Sequence, residues 1–428
     1  MGRKVSKEKN MSKKRMELND KEIKTMFSEI KSYIIKYDAK IGQCKPEDVI
    51  NEFNQEWKVL TKDNEDEINP FNEPEKWTDS RYGYALNLFA VAYYRLENLE
   101  QKDVKTIEEL ILEFEGVNYE RLYFRKSALF YELGRCWHKV GRDDYAIKYF
   151  KKYIYYSLYI FNKGYSTTAY AFRKCSNFVY QSLINEQLNV SSPSTFNDPY
   201  DCPVIELLNN EDEISQLIRK AYLESIKIAC FVRNVKLPYQ KGDKIEDVVC
   251  GELKRQDDKD EYLNSLMWAH YSDSHKGICI KYKFPNDLSV LVSQNNGKLS
   301  FFKDVEYDSE KLGEYSSKES IRLKDAFFLK VKDWEYENEL RFLHFDLEDT
   351  NLHKSIDIPG CVEAIYFGLK CPKVERDAIM KIMKNKILIR KDIDGKKISE
   401  EPVKFYQMKV DANCCGSLVA EEITLNFI

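Results

Sequence analysis

Trp334-Glu335-Tyr336-Glu337-Asn338-Glu339-Leu340-Arg341-Phe342 admits two readings with different consequences for the fold. As a strand, it sends Trp334, Tyr336, Leu340 and Phe342 to one face and Glu335, Glu337, Glu339 and Arg341 to the other. As a helix, it offers a Glu337–Arg341 pair at i,i+4, an interaction of roughly a few tenths of a kcal/mol. The aromatic content and the alternation favour the strand. This stretch predicts a sheet in the C-terminal half, with an acidic stripe closed by Arg341 lying beside a packed face.

Some sixty residues upstream, Met267-Trp268-Ala269-His270-Tyr271-Ser272-Asp273-Ser274-His275-Lys276-Gly277-Ile278-Cys279-Ile280 crowds proton-moving and ring-stacking side chains against apolar anchors, as a pocket requires. Leu263, Leu266, Met267, His270, Tyr271 and Ser274 keep helical spacing, and Gly277 stops the run. His270 then stands at a helix C-terminus, where packing or capping explains it as well as chemistry does. His270 and His275 are five apart without a completing Cys or carboxylate, so no metal is expected.

Strand-like runs flank these segments at Ile228–Val232, Gly277–Phe284, Phe342–Leu347 and Ala364–Phe367, with helices over Glu211–Ile226, Glu261–Ser272 and Lys373–Met383. Residues 166–428 are therefore expected to form a mixed α/β domain. Asn197-Asp198-Pro199 is a turn by mechanism, because Asn and Asp side chains bond their own backbone and Pro fixes φ.

The texture before Gly164 differs. Apolar residues at three and four predict helices over Glu22–Tyr37, Pro46–Leu60, a stretch from about Arg81, and Val104–Phe114. From Ala128 to Phe150, Leu133-Gly134, Trp137, Ala146 and Phe150 reproduce the small-and-large alternation of a tetratricopeptide repeat, in which small residues let two antiparallel helices approach. One such pair cannot bury its own face, so a repeat-like array over residues 80–165 is expected, within a helical domain of residues 21–165. His138 is placed on the solvated side of that repeat. The fold class is α+β, an all-α repeat domain followed by the mixed domain.

The composition narrows the function. The 428 residues carry a formal net charge of −4, so no chain-wide field draws in nucleic acid or an anionic membrane. Eleven cysteines without C-x-x-C spacing point to reduced thiols and a cytoplasmic protein. Residues 1–20 are basic and lack an apolar core, and read as a solvated arm although Met1–Ser6 fits a myristoylation pattern. The greasiest stretch, Tyr145–Phe161, holds Lys148, Lys151 and Lys152, so no membrane span is expected.

Six blocks occur in an order and spacing that resemble the bacterial family called domain of unknown function 2971, over about residues 168–390. They are Tyr170–Arg173, Ser192–Cys202, Cys230-Phe231, Trp268–Ile280, Lys330 with Trp334–Arg341, and Ile365–Gly368. The series Arg173, Ser192–Thr195 and Glu337-x-Glu339 is also similar to the Arg, Ser-Thr, Glu-x-Glu layout of mono-ADP-ribosyltransferases. That second resemblance implies NAD as substrate and an oxocarbenium-like transition state stabilised by a carboxylate. It implies Glu339 as that carboxylate and Glu337 as the group that orients the acceptor. Arg173 would clamp phosphate, Tyr271 or Trp268 would stack on the base, His270 would bond the ribose, and Asn197, Asp198 and Arg341 would complete the nucleotide site. His270 departs from that family, whose histidine comes early in the chain.

Three functions follow as expectations. The first is an NAD-using or NAD-cleaving effector of bacterial defence or toxin type, with the helical array recognising a protein partner. The second is a metal-independent nuclease or nucleotide-processing effector pairing His270 with Glu337 or Glu339. The third is a non-catalytic sensor that binds partners through its helices.

Overall fold

The computed structural model describes residues 86–87, 90–91, 93–116, 123–158, 167–196, 201–202, 212–233, 265–285, 297–309, 327–391, 396–410 and 418–423. The basic arm, the helices expected over Glu22–Tyr37 and Pro46–Leu60, and the turn holding Asn197 and Asp198 lie outside the described residues. The chain divides into two compact units, residues 1–160 with 212–221, and residues 161–211 with 222–428.

In the first unit, helices α1 (Gln101–Glu115), α2 (Tyr123–Lys139) and α3 (Asp143–Leu158) follow one another. Val104, Ile107, Ile111 and Phe114 repeat at three and four and form the buried face of α1. A Cβ added at Gly134 on α2 would lie 2.6 Å from the Phe150 ring on α3, so the missing side chain is what lets these helices close together. Around that contact Trp137 stacks on Tyr145 at 4.6 Å and Phe130 on Tyr156 at 5.5 Å. Each large ring so buried contributes about 1.5–3 kcal/mol. His138 is partly exposed and pairs with two exposed carboxylates: its Nδ1 lies 2.7 Å from Asp143 Oδ1 and its Nε2 lies 3.2 Å from Glu213 Oε2. Sequence spacing could not show the Glu213 contact, which comes from 75 residues further along the chain.

The second unit is mixed α+β. Its strands are β1 (Thr167–Arg173), β2 (Gln187–Ser191), β3 (Ile226–Val232), β4 (Ile278–Phe284), β5 (Lys298–Asp304), β6 (Glu306–Tyr307), β7 (Leu329–Lys330), β8 (Glu339–Asp346), β9 (His353–Asp357), β10 (Val362–Phe367), β11 (Ile387–Lys391), β12 (Lys397–Pro402), β13 (Lys404–Val410) and β14 (Leu418–Glu422). Helix α4 (Asn177–Asn185) follows β1, α5 (Glu213–Ser225), whose residues up to Ala221 belong to the first unit, runs into β3, α6 (Ser265–Tyr271) precedes β4, and α7 (Lys373–Met383) follows β10. Ten strands join in the order β14-β13-β10-β4-β1-β3-β2-β9, with β8 pairing β3 and β5. Among the described strand pairs of this sheet only β10–β13 is parallel. Strand β3 lies along β8 for its full length, while its other edge is shared by single bridges to β1 and β2, so the sheet curls there.

Alternation along β1 separates two apolar layers. Ala169 and Ala171 join the layer that holds Val179 and Leu183 of α4 and Ile379 and Met383 of α7. Tyr170 and Phe172 join the opposite layer with Met267 and Trp268 of α6. Trp334–Phe342 is not one strand. Lys332–Glu337 is a 3-10 turn, Asn338 adopts a left-handed conformation at φ 44°, and the strand begins only at Glu339. Asn tolerates that conformation better than most residues, and its side chain also donates to the Arg233 carbonyl at 2.7 Å. Within β8 the expected alternation does hold: Leu340 and Phe342 enter the first layer, which leaves Glu339 and Arg341 on the other face.

Among the described residues no helix is long and apolar enough to cross a membrane.

Candidate functional site

The inner end of β8 buries charge. Arg341 is fully enclosed, and its Nε donates to Glu339 Oε1 at 2.7 Å. Its Nη2 donates to Glu339 Oε2 at 3.1 Å and Asp201 Oδ1 at 2.5 Å, and its Nη1 to the Phe327 carbonyl at 2.7 Å. Lys330, from β7, reaches Glu337 Oε2 at 2.7 Å, Glu339 Oε2 at 3.3 Å and Asp201 Oδ2 at 3.5 Å. Tyr271 donates its hydroxyl to Glu337 Oε1. Three carboxyls thus face two cationic groups. A buried pair of this kind is held by geometry and by hydrogen bonds to every lone pair, because its desolvation cost approaches the Coulombic gain.

Titration follows from that arrangement. Burial opposes ionisation of Glu339, but the Arg341 guanidinium and then Lys330 outweigh it and hold the carboxyl at about 2. Burial likewise works against the Lys330 ammonium, yet Glu339, Asp201 and Glu337 hold it charged well above the ordinary lysine range. Burial and the bond to Glu337 push the Tyr271 phenol up, so it remains a donor. Burial keeps the Cys202 and Cys230 thiols protonated.

Above this floor lies a cavity of about 610 Å³, within the roughly 300–1,000 Å³ range of small-molecule sites. Its walls are aromatic, from Phe196, Tyr271 and Trp334, with Tyr170 and Phe172 from β1. Its charged groups are Asp201, Asp333, Glu337 and Glu339 against Arg173 and Lys330. Lys330 Nζ also sits 5.0 Å from the Trp334 ring centre, a cation–π contact. Arg173 is the last residue of β1. Its guanidinium donates to the carbonyls of Phe172 at 2.9 Å and Cys230 at 3.4 Å, and among the described residues it has no carboxylate within salt-bridge distance. Two neutral acceptors leave most of its charge uncompensated, which suits an anion.

Local geometry fixes that arginine. Gly277 begins the approach to β4, and a Cβ there would lie 2.2 Å from the Arg173 carbonyl oxygen. The turn before it carries three successive left-handed residues, Asp273, Ser274 and His275, closed by a 2.7 Å bond from the Gly277 amide to the Ser272 carbonyl. Strain of this kind persists only where surrounding structure holds it.

The cavity brings together Arg173, Tyr271, Glu337 and Glu339. Arg341 lies in the ion cluster with Glu339 and does not line the cavity, so it serves Glu339 rather than a ligand. Trp268 is fully buried in the apolar layer, edge-on to Phe172 at 5.2 Å, so it has no free face for a base. The ring at the cavity wall is Trp334. His270 is exposed, bonds the Tyr336 hydroxyl at 3.1 Å, and is absent from the lining. Helix α6 turns Met267 and Tyr271 inward, four residues apart, which carries His270 about 100° away around the axis.

Lys330 and Asp201 were given no role on sequence grounds. Their signal was present, since both stand inside the blocks that carry the family resemblance, but only the fold shows that Lys330 meets Glu339 while Asp201 meets Arg341. Among the described residues no group of three or more His, Cys, Asp or Glu is arranged to hold a metal ion.

Residues 267–342, which span α6, β4, β5, the 3-10 turn and the start of β8, match the model of a family described as Protein of unknown function (DUF2971). The chain is thus similar to that family over the segment that builds one side of the cavity. No curated protein and no solved structure matches the chain.

Proposed function

We propose that the second unit binds a ribonucleotide, with NAD as the candidate substrate, and cleaves or transfers at its N-glycosidic bond. One observation carries this reading: one nucleotide-sized cavity joins an arginine that has no carboxylate partner among the described residues, three aromatic walls and a carboxylate floor. Arg173 suits a phosphate, and the excess of carboxyls over cations suits a pyridinium ring and the positive charge that develops on ribose as the bond breaks. In that step the bonding pair leaves with the nicotinamide nitrogen. The ribose carbon then accepts water or an acceptor nucleophile.

The two glutamates divide the work in this reading. Glu339 is pinned on both oxygens by Arg341 and Lys330. Glu337 is held on one oxygen by Lys330 and on the other by Tyr271, which is 39% exposed at the cavity wall. A ligand that displaces the Tyr271 hydroxyl meets Glu337, while Glu339 keeps Lys330 and Arg341 in place. The α2–α3 hairpin, with Gly134 against Phe150, is the surface we assign to recognising a protein partner, in the manner of a tetratricopeptide repeat and within a bacterial effector.

Incubating the full chain with NAD and following nicotinamide by chromatography tests the proposal. Glu337→Gln should slow release by about 100-fold or more, the scale of losing a group that stabilises transition-state charge, with NAD binding little altered. Neither binding nor turnover by the native chain would refute the reading, and full turnover in Glu337→Gln would remove that residue from it.

A further inference from the structure

His270 stands in a helix that builds the cavity wall, yet does not line the cavity itself. Two adjacent residues at the end of α6 bond two adjacent residues at the end of the 3-10 turn Lys332–Glu337. His270 Nδ1 lies 3.1 Å from the Tyr336 hydroxyl, and Tyr271 donates its hydroxyl to Glu337. Tyr271 and Glu337 line the cavity, whereas the His270–Tyr336 bond is exposed.

The two sides of this clasp are held unequally. Helix α6 is anchored by the fully buried Trp268, and the Trp268 carbonyl accepts from the Ser272 hydroxyl at 2.8 Å and the His275 amide at 3.1 Å. The turn is anchored at its ends. At its start the Lys332 amide donates to Ser309 Oγ at 3.1 Å. At its end Lys330 Nζ donates to Glu337 Oε2 at 2.7 Å, and the Arg233 amide to the Asn338 carbonyl at 2.9 Å. Between those anchors Asp333 and Glu335 are exposed, and Trp334 and Tyr336 are half-buried. Aromatic rings carry the contact inward: Tyr336 lies edge-on to His270 with 5.9 Å between ring centres, and tilted against Trp334 at 6.0 Å. Trp334 is the member of this row that lines the cavity.

We infer that His270 is a positioning residue for the cavity: through Tyr336 it ties the middle of the 3-10 turn to α6, and so fixes the Trp334 ring as the wall on which a planar group of the ligand stacks. The consequence for NAD rests on the proposed reading of the cavity; the clasp itself does not. No proton moves in this role, and that separates it from acid–base work by His270. Losing one neutral hydrogen bond that holds a binding wall shifts an equilibrium by roughly three- to tenfold. Losing a general acid or base slows a chemical step by about 100-fold or more and leaves binding in place.

Fluorine NMR of the full chain labelled with fluorotryptophan tests the clasp, with the Trp334 resonance assigned by its loss in Trp334→Phe. His270→Ala and Tyr336→Phe should each shift that resonance, and the double variant should move it no further than the larger single change. His270→Asn, whose amide offers a donor or an acceptor at the place of Nδ1, should return it towards the native position. A Trp334 resonance left in place by both single variants would overturn the positioning. In equilibrium dialysis with NAD, His270→Ala and Tyr336→Phe should raise Kd by roughly three- to tenfold, while nicotinamide release at saturating NAD stays within about twofold of native. An unchanged Kd in both variants would overturn the effect on the ligand. Release slowed by about 100-fold or more at unchanged Kd would overturn the positioning role and make His270 an acid–base group. No NAD binding by the native chain would instead fail the reading of the cavity, with the clasp judged by the fluorine signal alone.

Discussion

Replacing Glu339 by Gln separates the charge of this residue from its shape. In the folded chain its carboxyl is brought from an ordinary value of 4.5 to about 2, burial being outweighed by Arg341 and Lys330. The gap between those values, at about 1.4 kcal/mol per pH unit, makes ionisation of Glu339 worth about 3 kcal/mol of stability near neutral pH. The sign follows from linkage. A carboxyl depressed in the folded state contributes stability fully above its unfolded value and loses it as the pH falls towards its folded value. Gln carries the neutral acid's shape without its charge, so Glu339→Gln should be less stable than the native chain by about 3 kcal/mol near pH 7. The difference should shrink by about half or more near pH 3 and vanish below about pH 2. Urea unfolding read by pulsed hydrogen exchange in peptides covering β8 measures the local transition without assuming that both units unfold together. A penalty that stays constant from pH 7 to pH 3, or one below about 1 kcal/mol at pH 7, would refute the role assigned to the Arg341–Glu339 pair.

Other expectations use the same geometry. Arg341→Met leaves Glu339 and Asp201 buried with only the more distant Lys330 as shared cation and should cost about 3–5 kcal/mol, seen as loss of β8 protection; adding Glu339→Leu should recover part of it. Gly277→Ala puts a methyl against the Arg173 carbonyl, where backbone rather than a flexible side chain must move, and should cost roughly 2 kcal/mol in thermal or urea unfolding. The same variant should weaken nucleotide binding more than Gly116→Ala in the other unit, whose added Cβ would meet only the Glu113 carbonyl at 3.3 Å.

Much of the second unit was legible because its strands and helices are long enough to carry a period. Helix α7 falls at Lys373–Met383 as its spacing predicts, and β4 and β10 fall within a residue or two of the expected runs. The stretch from Trp334 was misread because aromatic alternation alone does not distinguish a strand from a 3-10 turn. A single left-handed residue, Asn338, is what converts one into the other. Trp268 illustrates a different loss: its neighbours Tyr271 and Met267 do line the cavity, but position on a seven-residue helix is set by which face meets β1, and that face sends Trp268 into the apolar layer.

By itself the sequence determined the alternation that puts Glu339 and Arg341 on one face of β8, the helical hairpin around Gly134, and the residue types needed for a charged pocket. Only the tertiary structure decided which charges meet. Lys330 of β7 and Asp201 join the Glu339–Arg341 pair of β8 from elsewhere in the chain, and Asp201 lies 140 residues from Arg341. Periodicity is a local property of the chain, carried by backbone geometry over a few residues. The pairing of buried charges is set by how distant elements pack, because a charge enters the interior only where its partners already stand.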